Sequence, residues 1–183
     1  VTIQWDSTMA EKGGYKHFML KEIHEQPESV ENTLRGRLLP LKGDILQAEI
    51  NLPSELIRNI KGAQIIACGT AYHAGLVGRY ALEHFGLPTS VDFASEFSDR
   101  ARIVDKEILI LAISQSGETA DTLYAVREAK ASGAKVLAIT NTLGSTLTRE
   151  ADYVLYTHCG PEIGVASTKA FIGQLAAMYV LAV

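Results

Sequence analysis

From Ser114 to Thr122 the sequence reads SQSGETADT, with hydroxyls at Ser114, Ser116 and Thr119 and a carboxamide at Gln115 gathered around Gly117. Hydroxyl and amide groups donate hydrogen bonds to anionic oxygen. A glycine lets the backbone come close to a ligand. Ser116 stands where an N-cap would, which makes Gly117 the expected start of a helix. The free N–H groups and positive end of such a helix favour an anion. A phosphate monoester is the anion this set fits. Ordinary capping, in which the hydroxyls serve the helix end and nothing binds, accounts for the same residues. Glu118, in the first turn, favours the dipole and need only point away from an anion.

Two further polar stretches have similar character. In CGTAYH, Gly69 and Thr70 suit a tight turn whose backbone and hydroxyl reach a small polar ligand. His73, one turn on, is an acid–base group or a structural one. Cys68 closes an apolar run, so its side chain is expected to be a small buried hydrophobe and its backbone the useful part. In CGPEIGVASTK, Lys169 begins a helix, where a cation opposes the dipole. Contact with an anionic ligand and simple solvent exposure both remain open for it, and Glu162 in the same loop is equally open. Asp121 and Asp152 read as surface or strand-edge charges.

Several chemistries are not indicated. GxxxxGK[ST] does not occur and CGTAYHAG is not GxGxxG, so no nucleotide cofactor is implied. The two cysteines, Cys68 and Cys159, have no metal-ligand spacing, so neither a zinc site nor a disulfide framework is expected. Acidic and basic residues are interspersed and the formal charge is −4, which leaves no basic stripe for nucleic acid. The apolar tail from Phe171 is too short for a span of roughly 20 residues and carries Gln174, so a core helix rather than a membrane segment is expected.

The elements that must position these loops follow from the pattern. At 183 residues and 47% hydrophobic, the chain can bury a core of one domain with an appendage. Residues 15–60 carry apolar side chains such as Phe18, Ile23, Val30 and Leu34 at helical spacing, with a break at Pro27 and a new start at Pro53–Ser54. This predicts an N-terminal linker and helical arm over 1–62. From Ala63, the runs AQIIACG, TSVDFA, EILILAIS, KVLAIT and DYVLYT alternate with helical segments Tyr72–Phe85, Thr119–Ala131 and Ser145–Glu150. The prediction is an α/β fold over 63–183, a three-layer, doubly wound, five-stranded parallel sheet of flavodoxin-like type. In such sheets ligands bind at the carboxyl ends of the strands, where all three polar loops fall. The first residues, VTIQWDSTMAEKGG, lack the features of a signal peptide, and STKAFIGQLAAMYVLAV stops without a helix terminator. The chain is thus expected to be an internal piece of a longer protein.

The stretches CGTAYHAG, SQSGETADT and EIGVASTKAF, with the lead-in YKHFMLKEIHEQP, together resemble the isomerase half of the glutamine:fructose-6-phosphate amidotransferases, the glucosamine-6-phosphate synthases. The resemblance covers practically the whole chain, which corresponds to the first of that half's two SIS (sugar isomerase) subdomains. It implies that Ser114, Gln115, Ser116 and Thr119 hold the sugar phosphate, that Cys68, Gly69 and Thr70 line the sugar pocket, and that Val165 and Ser167 contact the sugar. Ala71 stands where some members have Ser, which removes a hydroxyl contact. It further implies a cytoplasmic homodimeric enzyme needing no metal or organic cofactor.

The family's cysteine nucleophile, its glutaminase domain and its second SIS subdomain have no counterpart in this chain. No pair of groups in residues 1–183 suits ketose–aldose acid–base chemistry. No catalytic residue is therefore assigned, and the chain is expected to bind a sugar phosphate without turning it over. A sugar-phosphate-sensing SIS domain of a transcription regulator is the alternative, although Glu22, Glu25, Glu28 and Glu31 in the arm would repel DNA. A complete small phosphosugar isomerase is the third reading.

Overall fold

The computed structural model describes residues 11–39, 44–45, 52–97 and 104–183. The reading of the first ten residues as no signal peptide, and the parts of the arm at 40–43 and 46–51, lie outside them. In chain order, helices α1 (Phe18–His24) and α2 (Gln26–Leu34) precede a two-residue antiparallel pair, β1 (Leu38–Leu39) and β2 (Asp44–Ile45), and then α3 (Ser54–Asn59). The α/β part follows as β3 (Gly62–Ala67), α4 (Thr70–His84), β4 (Thr89–Phe93), β5 (Ile108–Ser114), α5 (Ala120–Ala131), β6 (Lys135–Thr140), α6 (Thr146–Glu150), β7 (Tyr153–Tyr156) and α7 (Lys169–Ala182).

The main sheet has five parallel strands in the order β4-β3-β5-β6-β7. This is the doubly wound arrangement, with its switch point between β3 and β5. Every predicted strand lies within about two residues of its expected bounds, because a parallel sheet covered on both faces demands unbroken apolar runs. Alternate residues serve opposite faces. Ile65, Leu111, Ile113, Leu137, Ile139 and Leu155 join one core layer with α4 and α7. Ile66, Ile110, Ala112, Val136 and Ala138 join the other with α5 and α6. Ile65 and Leu111 are fully enclosed, and each such burial contributes about 1.5–3 kcal/mol.

Helices α4 and α7 share one face. Gly78 lies against Met178, where a Cβ would come within 2.3 Å of the thioether methyl. Both residues lie roughly two turns into their helices, so the two helix starts are level at the carboxyl edge of the sheet.

The arm departs from expectation in two ways. It includes the β1–β2 pair, between the two expected helical stretches, where no strand was predicted. On α1, moreover, the buried residues are Lys21 and Glu22 while Ile23 is exposed, so the apolar spacing does not mark the packed face. Glu22 turns in because it accepts the Ile163 and Gly164 N–H groups of the polar loop after β7, and Lys21 because its ammonium donates to the Glu11 carbonyl at 2.7 Å beside Glu25. Helix α2 reaches the same region, where Thr33 Oγ1 donates to the Thr157 carbonyl at 2.6 Å. Among the described residues no helix is long and apolar enough to cross a membrane.

Candidate functional site: three loops at the switch point

Strand register gathers the predicted residues. The last β3–β5 pair is Ala67 with Ile113, and one residue further on stand Cys68 and Ser114. Ser114 in turn pairs with Thr140 and Thr140 with Tyr156, which aligns the ends of β5, β6 and β7. The loops 68–70 and 114–119 therefore flank the switch point directly. The loop 157–168 crosses from β7 to the level start of α7, beside that of α4.

The loop after β5 is held by its own hydroxyls and by residues 140–147. Ser114 is buried; its Oγ lies 3.0 Å from Thr119 Oγ1 and accepts the Gly117 N–H at 3.1 Å. Ser116 Oγ accepts the Glu118 N–H at 3.2 Å. Gly117 has φ +64°, and a Cβ there would fall 2.1 Å from Ser145 Oγ. Two expectations are corrected by this geometry. Gly117 cannot open a helix in a left-handed conformation, so Ser116 is no N-cap; the cap position is Thr119 and α5 begins at Ala120. The close approach that Gly117 permits is to Ser145 of the neighbouring loop. Thr119 makes no side-chain bond back to α5, because its hydroxyl meets Ser114 instead. The first-turn amides of this 12-residue helix thus lack the ordinary side-chain cap. Glu118 points away, accepting the Thr146 N–H at 2.6 Å, and this backbone hydrogen bond holds its carboxyl below the usual range. The Gln115 carbonyl accepts the Asn141 N–H at 3.1 Å, and the residue is half-buried.

After β3, Gly69 takes φ +59° and Thr70 starts α4 exposed. His73 Nδ1 lies 3.1 Å from the Gly69 carbonyl, so the proton on that nitrogen fixes the turn, a structural use of the side chain. Cys68 packs against the second core layer but is half-buried rather than buried. Tyr72 stacks on Phe93 at 3.8 Å, which ties the start of α4 to the end of β4.

The loop after β7 is held from elsewhere. Glu162 accepts the Thr168 and Ala170 N–H groups at 2.8 and 3.2 Å and the Ser167 hydroxyl at 2.9 Å, so it caps α7. Lys169 is buried and donates to Glu25 of the arm at 2.7 Å, which removes both readings offered for it: it is neither solvent-facing nor free for a ligand. Glu22 accepts the Ile163 and Gly164 N–H groups. Val165 stands fully exposed beyond them. Burial pushes the Cys159 thiol up, so it is a poor nucleophile.

Sequence reasoning missed Asn141. Buried just after β6, it donates from its amide to the Gly160 carbonyl at 2.6 Å and accepts from Cys159 N–H and Thr157 Oγ1 at 2.7 and 3.1 Å. Its own N–H reaches Gln115, so one residue joins the loops after β5, β6 and β7. An asparagine flanked by threonines at the end of an apolar run, in AITNT, was the available signal.

A family model described as SIS domain matches residues 56–183. The glutamine--fructose-6-phosphate aminotransferase [isomerizing] of Caldanaerobacter subterraneus is 55% identical over 181 residues, covering 98% of this chain and 30% of the relative. The protein of that name from Mycobacterium bovis is 56% identical over 180 residues, covering 98% of this chain and 28% of its own length. Among solved structures, the C-terminal domain of glucosamine-fructose-6-phosphate aminotransferase from Francisella tularensis superposes with a TM-score of 0.87 at 44% identity, covering 94% of this chain and 48% of that one. The chain spans about a third of the curated relatives it matches.

Proposed function

Because this chain belongs to the SIS domain family, we propose that it is the sugar-phosphate-binding part of an enzyme that makes glucosamine 6-phosphate from fructose 6-phosphate and glutamine. The observation that carries the binding role is the uncapped start of α5 at the switch point, with Ser114, Ser116, Thr119 and Gln115 around it. Amides and a positive helix end in that place suit a phosphate. In this reading Ser116, Thr119, Ser114 and Gln115 hold the phosphate. Cys68, Gly69 and Thr70 line the sugar, and Val165 and Ser167 meet it from the third loop. The names and identities of the relatives support fructose 6-phosphate as the sugar.

The overall reaction adds ammonia to the ketose carbonyl and then moves a proton between C1 and C2 to give the aldose amine. The base and acid for that proton belong, in this proposal, to the second SIS subdomain of a parent chain that also has a glutaminase domain. The parent works as a cytoplasmic homodimer without metal or organic cofactor. The test is calorimetric titration of the chain with fructose 6-phosphate, glucosamine 6-phosphate and unphosphorylated fructose, beside an isomerisation assay. Saturable binding of the two phosphates, none of fructose and no turnover is the expected result. Turnover by the chain alone would favour a complete small isomerase, and no preference for the phosphorylated sugars would refute the binding role.

A further inference from the structure

Glu22 is 2% exposed, on a helix whose other buried residue is Lys21. Its Oε1 accepts the Ile163 N–H at 2.6 Å and the Gly164 N–H at 3.0 Å, and Oε2 lies 3.1 Å from the same Gly164 nitrogen. One carboxylate thus takes two successive amides from a loop about 140 residues away. Burying a carboxylate is costly unless such donors compensate it, and charge-assisted bonds of this kind are short and directional. The fit is close on both sides: a Cβ on Gly164 would fall 2.5 Å from Glu22 Oε2 and 3.5 Å from Met19 Cα. A second contact reinforces the first, since Glu25, one turn on in the arm, accepts from Lys169 at the far end of the same loop. Between these two anchors lie Val165, fully exposed, and Ser167, whose hydroxyl is directed to Glu162.

We propose that Glu22 is a positioning residue, which clamps Ile163–Gly164 so that Val165 and Ser167 are presented to the sugar. The inference rests on the sugar-phosphate reading above. It assigns the arm a part in sugar recognition while leaving the phosphate to the loop after β5, which Glu22 does not touch. The two contributions separate experimentally, because inorganic phosphate should sense only the second.

The experiment uses the chain with Glu22→Ala, Glu22→Gln and Gly164→Ala, the last displacing the carboxylate from the opposite side. Amide shifts and exchange are followed by NMR, and binding is measured with fructose 6-phosphate and, separately, with inorganic phosphate. In Glu22→Ala the Ile163 and Gly164 amides should exchange at least roughly tenfold faster, and fructose 6-phosphate affinity should fall roughly tenfold. Gly164→Ala should do the same, Glu22→Gln should lie between, and the Glu22→Ala, Gly164→Ala double variant should be no worse than either single one. Inorganic phosphate affinity should not change. Unaltered amides would remove the clamp. Freed amides with unchanged fructose 6-phosphate affinity, or an equal loss for inorganic phosphate, would overturn its positioning role. Failure of the unaltered chain to bind any sugar phosphate would overturn the functional reading and this inference together, whereas the other outcomes strike the inference alone.

Discussion

The loops after β5 and β7 lie at the same sheet edge and both lead into helices, yet they differ in what occupies the helix start. Residues 114–119 bond to one another through Ser114, Ser116 and Thr119 and otherwise to the adjoining residues 140–147, and they leave the start of α5 without a side-chain cap. Residues 157–168 are supported by Thr33, Asn141 and Glu22, and their helix start is already taken by Glu162. Where a protein carboxylate occupies the amides, an external anion has little to gain. Where none does, the anion site is open. The difference supports the proposal that the phosphate sits on the first loop and that the second shapes the sugar pocket.

The comparison breaks most visibly at Gly117. Substitution by Ala adds a Cβ at 2.1 Å from Ser145 Oγ in a left-handed conformation, and should cost about 3–5 kcal/mol from strain and overpacking. Thermal unfolding checks this, with a fall of roughly 6–20 °C expected; a fall within a degree or so would mean that the loop yields freely. Asn141→Ala should cost less, about 2–3 kcal/mol, by stripping the Cys159 N–H and the Gly160 carbonyl of their partner. It should loosen the loop after β7 while leaving the phosphate response of Ser116 and Thr119 amides in place. An equal loss of phosphate binding would show that the two loops are not separable.

A smaller effect belongs at the opposite edge of the sheet. Burial pushes the Asp152 carboxyl up, but hydrogen bonds from Lys135 at 2.9 Å and the Val136 N–H at 3.0 Å, with the charge of Lys130, outweigh it and hold it below the usual range. Its folded pKa lies under the unfolded one, so its stabilisation is present above the ordinary aspartate value of roughly 4 and is lost as pH falls through the lowered value. Asp152→Asn should therefore melt lower than the parent at neutral pH, and the two should converge in acid. Sugar-phosphate affinity at pH 7 should be untouched, as a control for both loops.

These contrasts also explain what could be read from sequence. The strands were legible because each is an apolar run bounded by polar residues, and the loop after β5 because its chemistry is local. The helical segment Thr119–Ala131 was legible to within a residue, but the cap was placed on Ser116, since nothing in SQSGET shows that Gly117 adopts a positive φ. Lys169 and Glu22 were opaque for a different reason: their partners lie more than a hundred residues away in sequence. Helical periodicity in α1 pointed to Ile23, but polar partners buried Glu22 against the loop after β7 and Lys21 against Glu11 and Glu25 instead.

The most direct test of the central claim is calorimetric titration of fructose 6-phosphate into the chain and into its Ser116→Ala, Thr119→Ala variant. The account predicts saturable binding by the parent, weakened at least roughly tenfold in the variant, with both proteins melting within a few degrees of each other. Equal affinity in the two would contradict it, because the phosphate would then lie somewhere other than the loop after β5.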